Sequence, residues 1–219
     1  MYTAIIGDLI KSREIGDRAV FQKQLKEILD DVNVKYRSQL GSKFSITLGD
    51  EFQGLLTEPG GILEIIQYIK YRMHPVSGRF GVGIGEITTP IDPEQSLGAD
   101  GPAYHRARRM VDYLKKNERG KKTAVGDIRV EAEAGDPCIG VVNSCLTLLT
   151  LIESKWTPKQ REAIADTHYH KLTQGEIARK SGLNQSTIHR SLKTSGYFEY
   201  LEAVTAINAL LGNRYGGKP

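Results

Sequence analysis

Cysteine is scarce in this chain: among 219 residues there are only Cys138 and Cys145. They lie seven apart in an apolar segment, about two turns along one helix face, which is too far for a disulfide. Both read as small buried hydrophobes, and a reducing cytoplasm suits them. Long apolar runs are missing as well. None approaches the ~20 residues that span a bilayer, so no membrane partner is expected. The opening MYTAIIGDLIKSR has no basic leader before its apolar stretch and reads as a strand rather than a secretion signal. His74, His168 and His170 show no ligand spacing, so no zinc is assigned. Internal repeats and low-complexity tracts are absent. What remains is 39% hydrophobic and 26% charged, the balance of a folded, water-soluble chain rather than a disordered one. Its length allows one large domain or two ordinary ones.

The net charge of +4 is unevenly spread. Residues 138–219 hold 10 Lys/Arg against 6 Asp/Glu, while residues 1–137 hold 20 of each. The whole positive excess therefore lies in the C-terminal third, which favours a polyanionic partner there.

Through residue 137, strand-like and helix-like patterns alternate. Tyr2–Ile6 is a short apolar strand ended by Gly7-Asp8. Val20, Phe21, Leu25, Ile28, Leu29 and Val32 make a helical stripe between about Arg18 and Tyr36. Phe44, Ile46 and Leu48 alternate as a strand, Gly49-Asp50 turns the chain, and Phe52–Leu56 pairs back. Ile62–Arg72 is a second helix, Arg79–Ile87 a glycine-punctuated strand, Ala103–Lys116 a basic helix and Ala124–Glu131 a last strand. The order is β-α-β-β-α-β with an added helix and strand, an α+β, ferredoxin-like core with extensions. Ala134-Gly135-Asp136-Pro137 is the expected boundary between domains 1–137 and 138–219, and everything after it reads as helix.

Near the C-terminus, Thr173-Gln174-Gly175-Glu176 is a capping box. A short helix carrying Ile177 and Ala178 stops at Ser181-Gly182, and Asn184 is placed to cap a second helix, Gln185–Ser195. Gly182 allows a left-handed turn between them, with Leu183, Ile188 and Leu192 expected in the core. Trp156–Tyr197 resembles the recognition module of sigma-factor region 4, a helix-turn-helix. That resemblance implies DNA as partner, with Gln185, Ser186, Thr187, His189, Arg190 and Lys193 on the reading helix.

Three stretches carry a second resemblance: Ile6-Gly7-Asp8-Leu9-Ile10-Lys11-Ser12, the hairpin Leu48-Gly49-Asp50-Glu51-Phe52, and RFGVGIG at Arg79–Gly85 followed by Gly101–Arg109. Together they look like class III nucleotidyl cyclases and their diguanylate-cyclase relatives. Combined with a helix-turn-helix, they resemble the SatD family. The resemblance implies a nucleotidyl-cyclase-type domain with Asp8 and Asp50 as ligands for Mg or Mn, and Arg109 as the transition-state arginine. His105 stands where cyclases place an asparagine. Leu9, Ile10, Lys11, Ser12 and Arg13 form the loop whose amides could cradle phosphates. Departures are equally clear: Ile46 and Gly98 occupy the positions of the purine-selecting pair, and Leu48 replaces the first glycine of the diguanylate signature. The Gly81/Gly83/Gly85 strand has no following lysine and threonine, so it reads as a close-packed strand rather than a phosphate loop.

The preferred expectation is a cytoplasmic, homodimeric transcriptional regulator whose cyclase-like domain senses a nucleotide and biases a DNA-binding domain. The alternatives are an active metal-dependent nucleotidyl cyclase or related nucleotidyltransferase directed by its helix-turn-helix, and a protein-interaction module.

Overall fold

The computed structural model describes residues 1–10, 18–119 and 126–217. Five strands are seen: β1 (Tyr2–Leu9), β2 (Leu40–Leu48), β3 (Glu51–Leu56), β4 (Gly78–Gly85) and β5 (Ile128–Glu131). They form one sheet in the order β2-β3-β1-β4-β5, antiparallel except for the β4/β5 pair. Helices α1 (Arg18–Lys35) and α2 (Ile62–Met73) complete the βαββαβ unit, and α3 (Pro102–Arg119) links β4 to β5. The fold is α+β with a ferredoxin-like core, as its strand order anticipates. The expected strand Ala124–Glu131 is ordered as β5 from Ile128; its first two residues lie outside the described ones.

Period-two alternation decides what each face of the sheet meets. On one face Ile5, Leu9, Phe52, Phe80, Val82 and Ile84 pack with α1 and α2 in the main core. On the other, Ala4, Ile6 and Leu55 pack under Ala103, Ala107 and Val111 of α3. Helix α3 lies against β4 with no side-chain layer between. A Cβ at Gly81 would stand 2.2 Å from the Ala107 carbonyl oxygen, and one at Gly83 2.0 Å from that of Ala103. The alternating glycines of β4 are thus a bed for a helix backbone, as the sequence suggests.

Both edges of the sheet are covered by asparagine. Asn33 of α1 accepts from the Phe44 amide at 2.7 Å and donates to its carbonyl at 2.9 Å on β2. Asn143, on α4 (Pro137–Ser154), does the same for Val130 on β5, at 2.8 Å each way. Unpaired strand groups are satisfied this way without recruiting another strand.

Beyond Pro137 the chain continues as α4, α5 (Pro158–His168), α6 (Gln174–Ser181), α7 (Gln185–Thr194) and α8 (Tyr197–Tyr215). Helix α4 is 18 residues long with a mean hydropathy of 1.4, apolar enough by composition to cross a membrane. Here it lies along β5, and Cys138 and Cys145 on it are half-buried free thiols. The main core takes side chains from both sides of Pro137: Val142, Leu146 and Leu149 of α4, and Tyr200, Val204, Ile207 and Leu211 of α8. Helices α5, α6 and α7, with Tyr197 at the start of α8, close a second small core of Ala163, Ile164, Ile177, Ala178, Ile188 and Leu192.

Candidate functional site

The row of charges under α3 comes directly from sheet register. Residues 4, 6 and 8 of β1 face α3, so Asp8 points to that side at the end of the strand. Glu51 on β3 and Arg79 on β4 are its direct Cα partners to left and right. One acid–acid–base row therefore crosses three adjacent strands. Helix α3 adds Arg108 and Lys115 two turns apart on one face, above the row.

Each carboxylate is engaged. Asp8, with 9% of its side chain exposed, holds Arg79 Nη1 at 2.7 Å on one oxygen and Lys115 Nζ at 2.7 Å on the other. Arg79 continues to Glu118, its Nε 2.8 Å from Oε2. Arg108 grips Glu51 with both terminal nitrogens, Nη2 at 2.6 Å from Oε1. That hydrogen bond, with the neighbouring charges of Glu51, Asp112 and Asp8, holds the Arg108 guanidinium above its ordinary value despite partial burial. Next to the row, Ile6, Gln53, Ala99, Tyr104, His105 and Arg108 line an open recess. The Tyr104 hydroxyl is buried beneath it, toward Ser96, and burial pushes its pKa up.

The expected residues distribute unevenly. Asp8 and the hairpin tip do meet: the Leu9 amide donates to the Asp50 carbonyl at 3.3 Å. The Ile10 amide is likewise bonded to the Ser77 carbonyl at 2.8 Å, so these two loop amides are already engaged; Lys11, Ser12 and Arg13 lie outside the described residues. His105 lines the recess and pairs with Asp100 at 2.7 Å. Arg109 turns to the β5 side and pairs with Glu131 at 2.7 Å, while its neighbour Arg108 reaches the row. Arg79, Lys115, Glu51 and Arg108 were not expected. The alternation of β1, β3 and β4 would have placed Glu51 and Arg79 beside Asp8, but only once strand order was known.

Oxygen donors such as Asp8, Asp50 and Glu51 are the type that hard divalent cations take. As placed, they do not fit an ion, because nitrogen cations fill both Asp8 oxygens and Glu51. Among the described residues no group of three His, Cys, Asp or Glu is arranged to hold one.

At the other end, α6 and α7 are joined through Gly182 in the left-handed region, at φ 64°. Thr173 and Glu176 form the expected capping box, and Thr157 with Gln160 makes a second one at the start of α5. Two details differ from expectation. Asn184 precedes α7 without a side-chain cap bond, and Leu183 is 44% exposed at the rim of a groove between α5 and α7 rather than inside the core. Ile188 and Leu192 anchor α7 inward. Gln185, Ser186, His189, Arg190 and Lys193 are exposed and Thr187 half-buried, so these six stand on one open stretch of helix.

The class of protein is thus an α+β sheet domain with a charge-lined face, followed by helices that partly share its core. The chain belongs to the SatD family, whose model matches residues 2–211. No curated protein matches it. Among solved structures it is similar to the guanylate cyclase domain of RhGC from Catenaria anguillulae in complex with GTP, at 14% identity and TM-score 0.38, over 51% of this chain and 71% of that one. It is also similar to the regulator of polyketide synthase expression from Bifidobacterium adolescentis, at 11% identity and TM-score 0.30, over 95% of this chain and 85% of that one.

Proposed function

We propose that this chain is a DNA-binding transcriptional regulator whose sheet domain senses a nucleotide. The observation that carries it is α7. It is held by a three-helix core through Ile188 and Leu192, it follows a left-handed glycine turn, and its open side presents only polar and basic groups. On this reading α6 and α7 are a helix-turn-helix, α7 enters the major groove, and residues 138–219 supply the positive excess that meets phosphates. The test uses the full chain, because α4 and α8 are built into the sheet core. Fluorescence anisotropy on duplex DNA should show binding that weakens steeply with salt. Arg190→Ala or Gln185→Ala should cost ~1–3 kcal/mol at one base position. Absence of binding at low salt overturns the reading. A homodimer goes with it, since helix-turn-helix proteins usually read two half-sites. Light scattering should give twice 24.3 kDa for the free protein and that mass plus one duplex for the complex, and one 24.3 kDa chain, free and per duplex, counts against it.

The nucleotide reading rests on the recess beside the row, where Arg108 and His105 converge over the Tyr104 ring. Arg79, Arg108 and Lys115 offer three cations to phosphates, and the internal pairing of Asp8 favours sensing over catalysis. Magnesium or manganese could enter with the nucleotide only if Lys115 and Arg79 moved from Asp8 to the phosphates. Nucleoside triphosphates should therefore raise Tm. Asp8→Asn should abolish any added effect of metal while sparing the metal-free rise, and Arg108→Ala should remove both. Unchanged melting with every common nucleotide overturns the sensor. Steady release of a cyclic or condensed nucleotide would favour the enzyme instead.

A further inference from the structure

A second recess lies on the opposite side of the sheet from the charge row, where α2 meets α4, α5 and α8. Its cavity volume is about 70 Å³, and its mouth is open to solvent. Its wall is largely aromatic. Tyr71 of α2 stacks on Tyr169 with centroids 4.3 Å apart and planes 17° from parallel, and Trp156 lies 5.0 Å from Tyr200. Such a surface offers flat faces and edges to another ring.

The wall's charges are spent on one another. Lys70 is paired with Asp127 and Glu153, and Arg161 donates to the Glu153 carbonyl at 2.7 Å. Gln67 Nε2 donates to the Tyr200 hydroxyl at 3.1 Å, and that hydroxyl reaches Glu153 at 3.3 Å. Two cations thus balance two carboxylates, and a charged ligand would enter without a counter-ion. Two imidazoles keep capacity to spare. His168 Nδ1 lies 3.3 Å from the Tyr197 hydroxyl, which leaves its Nε2 without a partner among the described residues, and the His74 ring has none there. Partial burial, then the charge of Lys171, lowers the His168 imidazole below its ordinary value, and the more exposed His74 is lowered in the same direction by desolvation and Arg161.

We propose that this recess binds a small, uncharged planar ring bearing one hydroxyl, of the phenol class. The ring lies against the Tyr and Trp faces, and its hydroxyl, which can donate or accept, hydrogen-bonds the open ring nitrogen of His168 or His74. Few convergent polar groups in an aromatic hollow are what a small-molecule site requires. Trp156 also ties this wall to the DNA-proposed helix, because its indole N–H donates to the carbonyl of Ser195, which follows α7, at 2.8 Å.

The chain has a single tryptophan, Trp156, so its emission reports on the recess directly. Phenol is titrated into the full-length chain with excitation at the red edge of tryptophan absorption, beyond phenol itself. The expected result is a saturable change in emission, with a rise in Tm over the same concentrations. Benzoate, the charged relative, and cyclohexanol, which keeps the hydroxyl but not the flat ring, should each need about tenfold more or worse, a loss of at least one decade in affinity. Ala165→Phe, in the α5 wall, should fill the hollow and abolish saturation, and Leu201→Phe serves if that variant does not fold. A response linear in phenol, equal response to benzoate or cyclohexanol, or undiminished saturation in a folded filled variant overturns the proposal. Because no DNA or nucleotide enters this experiment, its outcome is independent of the regulator reading.

Discussion

Gly83 shows how one missing side chain sets the spacing of a layer. Its Cβ would sit 2.0 Å from one backbone atom of α3 and 2.4 Å from another, neither of which can rotate away. Gly83→Ala should therefore push α3 off the sheet at a cost of about 1–3 kcal/mol or more, read as a fall in the denaturation midpoint. Gly135→Ala has open space but a φ of 85°, so its smaller cost should come from backbone strain alone. Titration at single residues also has a sign. Burial, and then Lys171, holds His168 below its ordinary 6.5. The unfolded chain takes up that proton at higher pH than the native state does. The stabilisation is complete above about 6.5 and shrinks as pH falls toward the native value. Tm followed downward from about pH 7 should drop, and His168→Gln should flatten part of that slope.

At the scale of elements, caps and edges matter more than propensity. Helix α4 starts at Asp136, whose carboxylate accepts from the Cys138 amide, and Pro137 at the first position loses no donor. Once formed, α4 serves β5 through Asn143. Asn143→Ala leaves the buried Val130 amide and carbonyl without partners and should cost about 1–3 kcal/mol for each group left unpaired. Hydrogen exchange should then show β5 opening before the centre of the sheet. The capping box at Thr173 was readable from sequence because its partner is three residues away. The role of Asn143 was not, because its partner lies across a loop on another element.

In the whole molecule, Lys70 is the charged centre of the polar ties between the sheet domain and the later helices, beside the hydrogen bonds of Gln67 with Tyr200 and of Asn143 with Val130. Burial alone would lower its ammonium, but Asp127 and Glu153 outweigh that and hold it above its ordinary value. Lys70→Met keeps the volume, leaves Asp127 without its cation and Glu153 with Arg161 alone, and should cost about 3 kcal/mol or more. Lys70→Met combined with Glu153→Gln should recover part of it, measured by urea denaturation. If the tie matters to coupling, DNA affinity in the single variant should also lose any response to nucleotide.

Hydrophobic period and turn chemistry let the sequence alone determine the βαββαβ order, the capping box at Thr173 and the left-handed turn at Gly182. These are local rules acting within a few residues. The same alternation gave the β4 glycines their packing role, whereas which face α3 covers, and so where Asp8 points, came only with the fold. Tertiary structure alone decided which charges meet. Strand order places Glu51 and Arg79 on either side of Asp8, and the rotation of α3 sends Arg108 to that row and Arg109 to Glu131. It also decided that the main core runs past Pro137 into α4 and α8, and that four distant helices enclose an aromatic hollow. Such contacts join residues far apart in the chain, and burial energy selects them only when the layers close.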